Sequence, residues 1–511
     1  MESQYCWLIF ISALFFLSSA FAFKKNYDTA AILLLIGGAF CLRLFIVFLD
    51  PFLNNWDERF HALVAKNMMD HPFKPTLREN PVLPYNYTDW TDNYIWLHKQ
   101  PFFLWQIVLS MKIFGVNEYA VRMPGAFLGA IQLFFIYRMG RIIINKQTGY
   151  FAALLFACSY FQLQQTSGLI GMDENDIAFG FYTIASLWSL AEYKHTNKKY
   201  WLFFIGIFSG IAILNKWLTG LLVYAIWGII IFTGRNKTSP LKESGKLAFS
   251  VFVTAIIFLP WQIYIMHTFP AESHYEYHFN NMHFSTALEG HGGTSAYYIN
   301  QFNKEHFGYW AMIPFMCGVY YLLKKGKERW GKILVIIPVF IIYAFFSFLV
   351  ASKTSAFVFV VASQVYILIA GGLIFLYESI PAFRFKKISA VSGILIVCFI
   401  NLSPGRIMSS HFKENTVYNR DAKINNTEIY KQLNELVPAG YVVLNVPELE
   451  HVDAMFYSER NVYHWWPSEA DYNLLKEKNI PLAAFQPHHN LPVPDYIAND
   501  TSIHIIQKIL K

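Results

Sequence analysis

The sequence predicts a polytopic α-helical membrane protein with a small α/β domain outside the membrane at its C-terminal end. Three observations carry this. Of 511 residues, 55% are hydrophobic and only 15% charged, whereas a soluble globular chain carries about 25% charged residues. Apolar runs of the length that crosses a hydrocarbon core of about 30 Å recur along the first 405 residues. From about residue 410 charge returns, and short β-rich runs alternate with helical patterns. This composition excludes a cytosolic multidomain enzyme, a disordered scaffold and a disulfide-stapled secreted domain. The formal charge of +7 is modest, and the basic residues fall in short clusters instead of one stripe, so no nucleic-acid partner is expected.

Taken in order, the expected spans are 4–23, 29–49, 122–144, 148–167, 176–194, 200–214, 217–233, 247–266, 308–323, 331–350, 354–377 and 388–405. Several are short, which puts the expectation at about 11 to 13 helices. The first is read as a retained helix, with an uncleaved signal-like anchor as the alternative, because MESQYCWLIF lacks the cationic start of a signal peptide. Lysine and arginine then set the orientation. Lys24/Lys25, Arg138/Arg141/Lys146, Lys194/Lys198/Lys199, Arg235/Lys237/Lys242/Lys246, Lys324/Lys325/Lys327/Arg329 and Arg384/Lys386/Lys387 fall in alternate connections and are assigned to the cytoplasm. Loops 50–121 and 267–307, the turns at 168–175, Asn215–Lys216 and Ser352–Lys353, and the tail are then extracytoplasmic. Residues 101–115 would reverse that order if they spanned, so they are expected to form an amphipathic helix lying in the outer interface. The expected domains are 1–405, including both long outer loops, and 406–511. In the tail, strands at 441–446, 461–466, 481–485 and 502–509 around the helical pattern SEADYNLLKEKN suggest a largely parallel sheet.

The candidate chemistry lies in charges on the outer side. Asp57 and Glu58 stand in WDERF just after the second span. Asp173, Glu174 and Asp176 stand at the mouth of another, with Asp173 and Asp176 three apart on one helical face. Helix capping accounts well for one such acid and less well for three. Lys99, Lys216 and Lys353 occur where the orientation rule makes lysine scarce; a snorkelling lysine is the bland alternative for each. Together these residues suggest a pocket for an anionic headgroup, with carboxylates for proton transfer beside a lipid phosphate. Loop 267–307 adds His291 and the pair Tyr297/Tyr298 as candidate substrate contacts, and His98 beside Lys99 is a fourth. The spacing of His274 and His278 leaves a divalent metal open, but no metal-ligand motif is present and no cofactor is called for. The five cysteines, Cys6, Cys41, Cys158, Cys317 and Cys398, lie in apolar runs as packing residues.

WDERFHALVAKNM at 56–68, HKQPFFLWQIVLSMKIFGVNEYAVRMPGA at 98–126, DENDIAF at 173–179 and NKWLTG at 215–220 resemble the GT-C superfamily of membrane glycosyltransferases. Within it, the likeness is to the dolichyl-phosphate-mannose protein mannosyltransferases and the aminoarabinose lipid A transferases. The resemblance implies a GT-C fold in the inner (plasma) membrane. It also implies inverting transfer of a sugar from a polyprenyl-phosphate donor to a lipid or protein acceptor at the extracytoplasmic face. It makes Asp57 the base or orienter of the acceptor hydroxyl, Lys99 the contact to the donor phosphate, and Asp173 or Asp176 the second acidic position. His98 stands where relatives often carry an acid, Gln100–Pro101 where they carry two prolines, and KTSAFVF lacks their proline pattern near Lys353. A secondary transporter or lipid flippase using the same charges is the alternative. Carriers place ionisable groups at mid-membrane depth and show repeats, and this sequence has no internal repeat, so the enzyme is preferred.

Overall fold

The structure is a computed structural model that describes residues 5–171, 173–233, 239–382, 384–412, 419–464, 466–486 and 493–511. Arg235 and Lys237 of the basic clusters, residue 4 of the first expected span and Trp465 of an expected strand lie outside the described residues. By internal contacts the chain divides into two compact units, one comprising 1–49, 122–268 and 276–407, the other 50–121, 269–275 and 408–511.

The first unit is a bundle of helices. Among the described residues, eight helical stretches are long and apolar enough to cross a membrane: Cys6–Lys24, Asp28–Val47, Glu118–Ile143, Trp201–Thr233, Pro240–Thr268, Arg329–Phe348, Ser355–Ser379 and Lys386–Phe412. A bilayer core offers backbone groups no water, so such apolar runs are driven into helices that satisfy their own hydrogen bonds. The spans expected at 176–194 and 308–323 are also helical, as Asp173–Thr196 and Met312–Lys325. The span expected at 148–167 is instead two helices, Lys146–Ala157 and Tyr160–Thr166. Ser159 divides them, capping the second by accepting from the Gln162 amide. The spans expected at 200–214 and 217–233 are present as two helices that double back on each other, with the Ser209 hydroxyl donating to the Gly220 carbonyl at 2.8 Å and Tyr224 reaching Thr254, which donates to the Gly206 carbonyl. The helix Trp201–Lys216 stops where Trp217 adopts φ +63°, a short 3-10 turn follows, and Leu222–Thr233 forms the second helix. That break leaves Lys216 at a helix end. Elsewhere the helices pack through glycine: a methyl at Gly318 would lie 1.8 Å from the Leu368 carbonyl oxygen, and one at Gly372 1.8 Å from that of Pro314. Only backbone fits there.

The second unit contains a four-stranded sheet with strands β1 (Val442–Val446), β2 (Asn461–His464), β3 (Leu482–Phe485) and β4 (His504–Ile506) in the order β2-β1-β3-β4. Every pairing is parallel, with Val443 opposite both Val462 and Ala483, and Ala484 opposite Ile505. β1 and β3 are buried along their whole length, as expected of parallel strands covered on both faces. The expected helix forms at Glu469–Glu477, capped by Ser468. Val82 and Leu83 of the first long loop pack on the core made by Val442, Leu444, Tyr463, Leu475 and Leu482. The contact division therefore differs from the expected boundary at 405/406, because loop 50–121 groups with the tail. The helix expected over 101–115 is present as Phe102–Phe114, with Leu109, Ile113 and Phe114 exposed.

Candidate functional site

In the second unit, the helix Asp57–Asn67 opens directly after Trp56, whose backbone at φ +65°, ψ −123° is unusual for a side chain of that bulk. The turn delivers Asp57 as the first helical residue, with its side chain 22% exposed. Lys99 Nζ lies 3.6 Å from Asp57 Oδ1, and the buried His61, one turn along the same helix, places Nε2 3.9 Å from that oxygen. Segment 94–99 is fixed by a bridge between Thr76 and Ile95, by the Leu77 amide donating to the Tyr94 carbonyl, and by the buried Trp96. Lys99 thus projects from a braced strand-like segment, just before the helix Phe102–Phe114. The structure brings together two of the residues the sequence singled out, Asp57 and Lys99, across 42 positions of chain.

Two of their sequence neighbours have other surroundings. Glu58 is fully buried and accepts from the Asn54 amide at 2.5 Å, fastening the loop to the helix. His98 stacks face to face on Trp90, centroids 4.7 Å apart at 5°, so one face of its ring is occupied by an indole. His61, which sequence reading passed over, sits among aromatic rings, 4.7 Å from Phe103 and 5.8 Å from Trp96. Its signal was the spacing of four from Asp57.

In the first unit, Asp173 and Asp176 both fall in the first turn of Asp173–Thr196 and both are buried. Asp173 adopts φ +40°. Asp176 forms an ion pair with Lys216, whose Nζ also lies 5.0 Å from the centre of the Phe357 ring. The preceding residues reinforce the pair, since Asn175 Nδ2 donates to the Asn215 carbonyl at 2.8 Å. Glu174 between them is buried against Gly125, and neither of its carboxylate oxygens has a hydrogen-bond partner among the described residues.

Lys353 is placed differently. Its ammonium donates to the carbonyls of Phe346 at 2.6 Å, Ser347 at 3.1 Å and Val350. Those carbonyls end the helix Arg329–Phe348, so the lysine satisfies the orphan acceptors of a helix C-terminus. With its three protons committed there, it is a cap and not a free cation for phosphate. The backbone of Lys353 also donates to the His291 carbonyl at 2.7 Å, while the His291 side chain belongs to an exposed turn. Tyr298 is fully buried, with its ring 6.3 Å from that of Phe346; it is a packing residue and presents no face to a sugar. Tyr297 is partly exposed and packs edge-on to Tyr298. Among the described residues no three His, Cys, Asp or Glu side chains converge as a metal-ligand set.

Comparison with known proteins agrees with this architecture. Residues 98–264 match the family model of the dolichyl-phosphate-mannose-protein mannosyltransferases. An uncharacterised protein of Aquifex aeolicus (strain VF5) is 31% identical over 178 residues, 34% of this chain. The chain spans only 32% of that relative's length. Among solved structures, ArnT from Cupriavidus metallidurans bound to undecaprenyl phosphate superposes with a TM-score of 0.64 at 15% identity, covering 89% of this chain and 90% of that one. The Archaeoglobus fulgidus oligosaccharyltransferase AglB, in complex with an inhibitory peptide and a dolichol-phosphate, gives 0.56 at 15% identity, covering 90% and 66%. The chain thus shares the fold of ArnT and AglB and, over residues 98–264, resembles the dolichyl-phosphate-mannose-protein mannosyltransferases.

Proposed function

We propose that the protein transfers a sugar from a polyprenyl-phosphate donor to a hydroxyl of a lipid or protein acceptor, at the extracytoplasmic face of the inner membrane. The observation that carries the proposal is the Asp57–Lys99 pair at 3.6 Å, a carboxylate and an ammonium held on separate rigid segments. A sugar phosphate already contains a good leaving group, so the enzyme must orient and deprotonate the acceptor and stabilise charge on the departing phosphate. Asp57 takes the acceptor proton as the hydroxyl oxygen attacks the anomeric carbon. The carbon–phosphate oxygen bond breaks on the opposite face, and polyprenyl phosphate leaves with the electron pair, its charge met by Lys99. The product is an inverted glycoside, with one proton on Asp57. His61 Nε2 stands 3.9 Å from the same carboxylate oxygen. Asp173 and Asp176 are carried forward as candidates for the second acidic position that the resemblance implies. The solved relatives' lipid phosphates support a polyprenyl-phosphate donor, and the alternation of basic clusters supports the outer-face orientation.

Purified protein in liposomes containing a synthetic polyprenyl-phosphate sugar tests this. The expected result is stoichiometric appearance of free polyprenyl phosphate and glycosylated acceptor by mass spectrometry. Movement of solute or lipid across the bilayer with no new glycosidic bond would establish the transporter reading instead.

A further inference from the structure

The second unit joins the helix that presents Asp57 to the tail through buried charge. Arg59, two residues beyond Asp57 and 4% exposed, reaches in two directions. Its Nη2 donates to Asn55 Oδ1 at 2.8 Å, in the turn immediately before Trp56. Its Nε lies 3.2 Å from Asp453 Oδ2, on the tail helix Glu450–Tyr457. A second tie closes the far end of the same helix: Lys66 Nζ donates to the carbonyls of Met455 at 2.8 Å and Ser458 at 2.6 Å, at the C-terminal end of Glu450–Tyr457. The Asp57 helix is therefore gripped at both ends by one tail helix.

A buried ion pair is a poor way to gain stability, because desolvating the two charges offsets most of their attraction. Its better-attested use is to fix register. Here the register concerns the left-handed residue Trp56 and the carboxylate that follows it. We propose that the tail domain sets the position of Asp57: Asp453 orients the Arg59 guanidinium, and Arg59 holds the Asn55 turn from which Asp57 is presented. Arg59, Asp453 and Asn55 are positioning residues that touch no substrate. The inference rests on Asp57 being the base of a transferase.

The charged groups around the link are Lys423, Glu450 and Asp50, and Asp50 itself pairs with His411 and Arg420. Burial, only partly countered by Arg59, pushes the Asp453 carboxyl up to about 7. Burial likewise lowers Lys423 to about 8. Protonation of Asp453 as pH falls through neutrality removes the negative partner of Arg59 and loosens the turn.

The test uses the full-length protein and compares wild type with Asp453→Asn, Asp453→Glu and Asn55→Ala. Turnover, donor KM, affinity for unglycosylated polyprenyl phosphate, and melting temperature are measured from pH 5.5 to 8.5. Asp453→Asn is expected to lower kcat about 10- to 100-fold, the range in which an ångström of misplacement falls. Donor KM and polyprenyl-phosphate affinity should stay within about twofold, and the melting temperature at pH 8 should not fall. The variant should also lose the rise in kcat that wild type shows as pH passes upward through about 7, and Asp453→Glu should restore part of the rate. Asn55→Ala lies in a half-exposed turn and reads the same link without disturbing the buried pair, so it should lower kcat in the same manner. Unchanged kcat in Asn55→Ala and Asp453→Asn, or losses that track a fall in melting temperature, would overturn the positioning role while leaving the transferase standing. A wild-type protein that performs no transfer would overturn both.

Discussion

Three lysines drew notice for the same reason, their scarcity on the outer side, and their partners now separate them. Lys99 faces a carboxylate that is partly open to solvent, Lys216 is paired with the buried Asp176, and Lys353 is tied to helix-end carbonyls. Lys99→Met is therefore expected to weaken polyprenyl-phosphate binding at least about tenfold, the loss of one charge-assisted contact of about 1.5–3 kcal/mol, with little change in melting temperature. Lys353→Met is expected to do the reverse. Removing the cap should cost about 1–2 kcal/mol of stability and leave lipid-phosphate affinity intact; titration with polyprenyl phosphate beside a thermal melt distinguishes the two. A residue list could raise all three lysines but not rank them, because each rank depends on a partner far away in sequence or on a chain reversal. Asp453 was invisible for the same reason: nothing in EHVDAMF announces that its carboxylate will be buried beside Arg59. Its effect on stability has a definite sign. The folded value near 7 lies above the ordinary carboxylate value, so its contribution is fully present at low pH and is lost as pH rises from about 4 to about 7. Asp453→Asn should flatten that part of the stability profile, as chemical unfolding at pH 5, 6, 7 and 8 would register.

At the level of elements the sequence was most legible where one physical rule dominates. Apolar runs without charge became helices, and short valine- and alanine-rich runs bracketed by turns became strands, with β1 and β3 within a residue of their expected limits. The run at 148–167 was less legible. Its overall hydropathy resembles a span, but Ser159 starts a new helix whose seven residues, Gln162, Gln164 and Gln165 among them, are all buried. Buried amides are costly without partners, and no pattern of hydropathy reports where those partners lie. Helix packing makes its own prediction. Gly318 and Gly372 each face a backbone carbonyl at a distance that no side chain tolerates, so Gly372→Val should destabilise the bundle by about 1–3 kcal/mol or more through overpacking. A thermal melt in detergent would detect it, while an exposed-face control such as Leu395→Val should barely move.

Across the whole chain, the sequence separated a membrane region from a polar tail and counted the first outer loop with the membrane region, whereas internal contacts group it with the tail, which leaves the question of what ties it there. Val82, Leu83 and Arg78 answer that. The first two pack on the core of the tail sheet, and Arg78 donates to the Val462 carbonyl at 2.6 Å, almost 400 positions away. Such contacts leave no local periodicity to read. The same division puts Asp57 and Lys99 in the unit that contains the tail, which is the ground for the positioning role proposed for that domain. The central claim is that Asp57 is the base that activates the acceptor. Transfer from a polyprenyl-phosphate sugar by purified Asp57→Asn, set beside wild type at matched lipid-phosphate binding and melting temperature, tests it most directly. Loss of the base should lower the rate by about 10²- to 10⁴-fold with both controls unchanged, and an Asp57→Asn protein that transfers sugar at the wild-type rate would contradict the account.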